Sequence, residues 1–164
     1  MSHSCGHHDH DHAHGAGDTA VRLADAQALC VEAGERMTTS RLRTYELILE
    51  ASGPIKAYDV IDRFHPDGAA KPPTVYRALS FLENMGLIHR IESLNAFVAC
   101  GAHDHELKHD HTAGFLLCDC CGQSVEIALP RLTEVTASAE KSGFKVNHIT
   151  LEARGLCKAC CEDA

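Results

Sequence analysis

Two cysteine couplets constrain this chain more than any other feature. Cys118-Asp119-Cys120-Cys121 and Cys157-Lys158-Ala159-Cys160 each set two thiols three residues apart. That spacing lets one tight turn aim two sulfurs at a single ion. Two couplets complete a tetrahedral thiolate set suited to Zn²⁺, with Zn–S near ~2.3 Å. The segment between them has room for a strand, a helix and a strand, so the ion would tie together the ends of a small α/β unit. Three other readings compete: disulfides, a thioredoxin-like redox pair, and ordinary buried cysteines. A redox motif is expected to open a helix after a βαβ strand, and neither couplet is expected to do so. The expectation is therefore structural zinc on Cys118, Cys121, Cys157 and Cys160. Cys120 and Cys161 are bystanders or occasional substitutes.

At 164 residues the chain makes one large domain or two small ones. Its nine cysteines are an odd number, which argues against a complete intramolecular disulfide framework. Thiols in metal spacing point to a reducing cytoplasm. No stretch resembles a membrane span, and the N-terminus lacks a charged-then-apolar signal pattern. A net charge of −8 weighs against nucleic-acid binding, yet charge is local and one basic helix face can act within an acidic protein.

Residues 1–17 read as a separate, disordered tail. His3, Cys5, His7, His8, His10, His12 and His14 alternate there with Asp9, Asp11 and small residues, and nothing in it can bury a core. Such a tail can bind zinc loosely; a plain solvated tail and an engineered tag are the bland alternatives. From Asp18 the pattern is helical, with Val21, Ala24, Ala28 and Val31 sharing a face and Gly34 as the stop. Cys30 has no partner in spacing and reads as a small core residue. Thr38 caps a second helix with an apolar stripe of Leu42, Tyr45, Ile48 and Leu49, ended by Gly53-Pro54. A third helix at about residues 58–64 buries Val60, Ile61 and Phe64, before a turn at His65-Pro66-Asp67-Gly68.

A fourth helix opens on Lys71-Pro72-Pro73 and stops at Gly86, with Val75, Leu79 and Leu82 facing the core. Thr74, Tyr76, Arg77 and Ser80 are left near its open N-terminal end. A positive helix end carrying Tyr, Arg and hydroxyls, with Lys71 before it, suits entry into a DNA groove. A plain solvated face is the competing reading. The order of short helices followed by a small hairpin, as in a winged helix, favours DNA. The hairpin reads as strands at 87–92 and 96–100 around Ser93-Leu94-Asn95. With Leu94-Asn95 as the loop, Ile91 faces Val98 and His89 faces Cys100. All four then share one face, and His89 and Cys100 come close enough to share a metal, directly opposed Cβ atoms being ~4.5–5.5 Å apart.

Residues 101–111 read as a loop between domains, rich in His103, Asp104, His105, Glu106, His109, Asp110 and His111. A strand at 113–117 enters the first couplet. Val125, Ile127 and Leu129 alternate on the next strand, with Glu126 facing the other way. A helix runs from Pro130 to Gly143, burying Leu132 and Val135, and a last strand at 144–153 carries His148.

Several motifs coincide with a known family. Ala57-Tyr58-Asp59, Lys71-Pro72-Pro73-Thr74-Val75-Tyr76-Arg77-Ala78-Leu79, Cys118-x-x-Cys121-Gly122 and Gly155-Leu156-Cys157-x-x-Cys160 together resemble the ferric uptake regulator family, most of all its zinc-sensing branch. The resemblance spans roughly residues 18–161. It implies an α+β chain with an N-terminal winged helix-turn-helix domain (18–100), a hinge (101–111) and a small α/β dimerisation domain (112–164) holding a four-cysteine zinc site. It also implies a sensory metal site on His89, Cys100, His111 and Glu126, whose two ligands from each side of the hinge would restrict its motion. Iron-sensing relatives carry a carboxylate where Cys100 stands, and a thiolate with two imidazoles favours Zn²⁺ over Fe²⁺ or Mn²⁺. A third site would draw on His103, His105 and His148. The spacing near His103 departs from the iron-sensing pattern, and a hydrogen-bonded strand histidine is an equal reading of His148.

The function expected is a cytoplasmic, zinc-responsive repressor that binds double-stranded inverted-repeat operators of zinc-uptake genes as a homodimer. Two Zn²⁺ are expected per protomer, one structural and one regulatory, and a third is conceivable; no membrane and no small-molecule substrate are involved. Tyr76 would pack on a base and Arg77 would contact a purine edge or phosphate, with Thr74 and Ser80 beside them. Arg41, Arg43 and Lys71 would meet phosphates. The alternatives are an iron or manganese sensor within the family, or a zinc-buffering metallochaperone outside it. A zinc deaminase is disfavoured, because no His-x-Glu is present and Leu117 rather than proline precedes Cys118.

Overall fold

The computed structural model describes residues 16–64, 71–101, 113–129, 133–146 and 149–162. The His-rich tail up to residue 15, the turn at 65–70, the loop at 102–112 and His148 lie outside the described residues. Two compact units part after Gly101. The first contains α1 (Ala16–Glu32), α2 (Thr39–Leu49), β1 (Ile55–Lys56), α3 (Ala57–Arg63), α4 (Pro72–Asn84), β2 (Ile88–Ile91) and β3 (Ala96–Ala99). Ala16 and Gly17, assigned to the tail from sequence, already belong to α1.

Local chemistry accounts for most of these boundaries. The Thr38 hydroxyl accepts from the Arg41 N–H at 3.4 Å, satisfying one of the donors that a helix start leaves open. Pro72 and Pro73 occupy the first turn of α4, where no N–H is required. Gly86 leaves α4 at φ +68, a left-handed conformation that costs an L side chain ~1 kcal/mol or more. One core joins Cys30 of α1, Ile48 of α2, Val60 of α3, Val75, Leu79 and Leu82 of α4, and Ile88 and Phe97 of the hairpin. Each fully buried aliphatic side chain there contributes about 1.5–3 kcal/mol.

Three expectations for this unit change. The face of α1 made by Val21, Ala24, Ala28 and Val31 is solvent-exposed, Val31 by 75%. The buried face is the opposite one, with Ala26 and Cys30 inside and Leu23 and Leu29 packed against the core. Two apolar stripes competed on this helix, and the one bearing leucines buries more area. The second change is β1, which sequence reading missed: two residues add an edge to the sheet, in the order β1-β3-β2.

The third change is the hairpin register. His89 faces Val98 and Ile91 faces Ala96, a slip of two residues from the expected pairing. Glu92–Leu94 form a 3₁₀ turn closed by Asn95 at φ 47, so the loop has four residues instead of two. A slip of two preserves parity. His89 and Cys100 therefore remain on one face, as diagonal neighbours.

The second unit contains β4 (Ala113–Cys118), β5 (Ser124–Ala128), α5 (Thr133–Lys141), β6 (Leu151–Gly155) and α6 (Lys158–Glu162). The sheet order is β5-β4-β6, with β4 antiparallel to β5 and parallel to β6. A parallel pair needs a crossover, and α5 provides it. The start expected at Pro130, and the side chains of Leu132 and Val135, lie outside the described residues. The last strand begins at Leu151, not Phe144. Phe144 instead completes the cap of α5: its N–H bonds Ala139 O at 2.9 Å while Gly143, at φ +79, bonds Glu140 O at 2.9 Å.

Candidate functional site

The first couplet forms a knuckle at the end of β4. Gly122 N bonds Cys118 O at 3.0 Å, and Cys118 N bonds Gln123 O at 2.9 Å, so the chain reverses between the two thiols. The parallel pairing of β4 with β6 sets Cys118 opposite Gly155 and delivers the second couplet to the same place. All four sulfurs of Cys118, Cys121, Cys157 and Cys160 lie within 4.8 Å of one another. Tetrahedral zinc with ~2.3 Å bonds separates its sulfurs by about 3.8 Å. The Cys121 and Cys157 sulfurs stand 3.8 Å apart. The donor set fits Zn²⁺.

Electrostatics agree with that fit. The N–H groups of Cys121 and Cys157 lower the Cys118 thiol to about 6, the second donating at 3.3 Å. Hydrogen bonding by Cys157, then burial, then Cys118 and Cys121 push the Cys160 thiol up to about 12. One thiolate forms readily and a full set does not, unless a cation compensates it. Arg154 on β6 donates to Asp119 Oδ1 through Nε and Nη2, at 2.8 and 2.6 Å, bracing the first knuckle against the strand that leads to the second.

The second couplet does open a helix, α6, directly after the parallel strand β6, which is the placement expected of a redox pair. Metal binding rests instead on the convergence of both couplets.

The first unit holds a different donor set. His89 on β2 and Cys100 just past β3 present ligand atoms within 4.8 Å of one another, and His89 Nε2 is buried. Imidazole and thiolate are donor types that Zn²⁺ accepts. Glu126 is half-buried on β5, opposite Phe115. His103, His105, His111 and His148 lie outside the described residues.

The helix face read as a DNA contact is open. Tyr76 is 53% exposed, and Arg77, Ser80 and Lys71 are exposed, whereas Thr74 is half-buried. The first turn of α4 carries no acidic residue, so nothing there opposes the positive helix end. Arg41 and Arg43 have intramolecular tasks. The Arg41 guanidinium lies 3.3 Å from the centroid of the Phe81 ring and bonds Arg36 O. Arg43 reaches Phe64 O at 3.2 Å, Arg63 O at 3.3 Å and Glu46 at 2.6 Å, fastening α2 to the end of α3. Sequence reading also passed over Arg22, whose guanidinium donates to Cys100 O at 2.5 Å. A separation of 78 residues gives such a pair no sequence signal.

Short helices closed by a hairpin, an open Tyr–Arg helix face and a four-thiol centre in an α/β unit define a metal-binding winged-helix protein. The profile of the "Ferric uptake regulator family" matches residues 32–154. The chain is 39% identical over 146 residues to the zinc uptake regulation protein of Escherichia coli (strain K12), covering 88% of this chain and 84% of that one. It is similar to a zinc uptake regulator complexed with zinc and DNA, with TM-score 0.80, 38% identity, and 88% and 96% of the two chains covered. Holo XcZur is similar too, with TM-score 0.77, 38% identity, and 88% and 99% covered. The chain belongs to the ferric uptake regulator family. Among the described residues, no helix is long and apolar enough to cross a membrane.

Proposed function

We propose that this chain is a zinc-responsive transcriptional repressor, not an enzyme, that binds inverted-repeat operators of zinc-uptake genes as a homodimer in the cytoplasm. The observation that carries this reading is that one winged-helix unit combines an open Tyr76–Arg77 face on α4 with a His89–Cys100 donor pair at metal spacing on its hairpin. Tyr76 and Arg77 contact bases, Thr74 and Ser80 support them, and Lys71 and Arg41 meet phosphates. Arg43, held by three protein acceptors, contributes through the placement of α2. Dimerisation uses the sheet of the second unit, where Leu116, Val125 and Leu151 stay exposed on one face, aligned by the pairing of Gly114 and Leu116 with both neighbouring strands.

Each protomer holds two Zn²⁺. Cys118, Cys121, Cys157 and Cys160 take the structural ion. His89 and Cys100 take the regulatory ion, with His111 and Glu126 as the further ligands implied by family likeness. Bound zinc supplies a divalent charge that compensates the thiolates and fixes the segments bearing them. To act as a switch it need favour the DNA-competent state by only ~1–3 kcal/mol, and DNA then tightens zinc binding by the same factor.

The test is operator binding by the full chain, titrated in turn against buffered Zn²⁺, Fe²⁺ and Mn²⁺. Zinc-dependent binding to an inverted repeat is expected. Response to iron or manganese alone identifies a sensor of another metal, and zinc uptake without DNA binding identifies a buffering protein.

A further inference from the structure

We propose that Arg22 of α1 is a positioning residue for the Cys100 thiol. The inference rests on the reading of Cys100 as a regulatory ligand. Cys100 lies one residue beyond β3, where the last ladder pair is Ile88 with Ala99. Its N–H still bonds Leu87 O at 3.0 Å, but its carbonyl falls past the end of the paired strand. Arg22 supplies the donor that the sheet no longer can, at 2.5 Å. Both backbone groups of Cys100 are thereby held, which fixes the Cα–Cβ direction from which its Sγ reaches the ion.

Arg22 joins α1 to the end of the hairpin, and α1 packs through Ala26 and Cys30 on the core that α2 shares. α2 also packs on α4, because Ile48 shares the core with Val75 and Leu79. A pull on the Cys100 backbone thus reaches the scaffold that carries the Tyr76–Arg77 face. Groups that orient a metal ligand from outside the coordination shell typically change metal affinity about 10–100-fold when removed.

The experiment uses the full-length protein with its structural zinc retained, and variants Arg22→Met, Arg22→Lys and Cys100→Ser. Zn²⁺ affinity at the regulatory site is measured by chelator competition. Co²⁺ is the spectroscopic probe, its thiolate charge-transfer band reporting the Cys100 sulfur. Arg22→Met is expected to weaken zinc about tenfold and to shift or diminish the cobalt band, with structural zinc content unchanged. Arg22→Lys should recover part of the loss.

Should Arg22→Met fail to fold, Arg22→Lys decides: it keeps the stem and the charge, loses the planar guanidinium, and should still bind zinc more weakly than wild type. Wild-type zinc affinity and cobalt band in a folded Arg22→Met or Arg22→Lys protein overturn the proposal, even if melting falls. If Cys100→Ser itself keeps the wild-type cobalt band and zinc response, the reading of Cys100 as a ligand is wrong, and the proposal goes with it.

Discussion

Arg77→Ala separates DNA recognition from folding, because the two faces of α4 carry different loads. Val75 and Leu79 on the inner face are 0% and 2% exposed, whereas Arg77 stands in solvent beside Tyr76. Truncating Arg77 opens no cavity, and alanine is the best helix former, so stability should move by less than ~0.5 kcal/mol. A guanidinium that reads a base edge is worth about 1–3 kcal/mol. A two-fold dimer docks two copies of α4, so the complex loses ~2–6 kcal/mol, a drop in affinity of roughly 30-fold or more. The loss should concentrate at one base position in each half-site. A phosphate contact has another signature: every sequence weakens alike, and the salt slope falls by about 1 for each contact removed. Fluorescence anisotropy at saturating buffered zinc, repeated over several salt concentrations and single-base operator variants, distinguishes these cases. Unchanged operator affinity in a protein that melts like wild type would refute the assignment and leave α4 with an ordinary solvated face.

Three further outcomes are expected. Cys160→Ser breaks the four-thiolate set, whose zinc contributes folding free energy of about 10–16 kcal/mol in small zinc peptides; it should yield aggregated or monomeric protein lacking one zinc, and a soluble dimer with unchanged melting would remove the structural role. Leu82→Ala, at a site 0% exposed, should cost ~2–5 kcal/mol in denaturant unfolding of the DNA-binding unit, and a loss below ~1 kcal/mol would mean that the core there is loosely packed. Thr44→Val should stabilise the same unit by about 1–2 kcal/mol, because Thr44 is 0% exposed and its hydroxyl finds no partner among the described residues; a lowered melting temperature would show that the hydroxyl is satisfied in solution.

The helices were legible because their signals are local. Thr38 as a cap, Pro72-Pro73 as an opening and Gly86 as a stop act within one or two turns, and the 3.6-residue period marks Val75, Leu79 and Leu82 directly. Where two stripes competed on α1, period alone did not choose, and packing against the rest of the core decided for Leu23 and Leu29. The hairpin failed by two residues for a related reason. Asn95 tolerates a left-handed backbone, and that permits a four-residue loop which no alternation of side chains announces. The donor pair survived the error because strand parity repeats every two residues. The contacts that support the sites were not legible at all. Arg22 with Cys100 and Arg154 with Asp119 join residues far apart in sequence, and each looks like an ordinary surface charge until the chain folds.

On the proposed reading, the two donor sets differ in the way a sensor requires. The four sulfurs come from two knuckles registered by one parallel strand pair and braced by the Arg154–Asp119 bridge, so losing their ion would undo the unit that presents them. The His89–Cys100 pair belongs to a hairpin closed by its own ladder and packed through Ile88 and Phe97 on the helical core, so this unit is expected to keep its fold when the pair empties. Fewer thiolates also bind more weakly, so this pair can empty while the four-sulfur centre stays full. If Cys100 is the regulatory ligand, its bond to Arg22 would pass occupancy on to α1 and the core behind α4, leaving stability to the four-sulfur set and response to the pair.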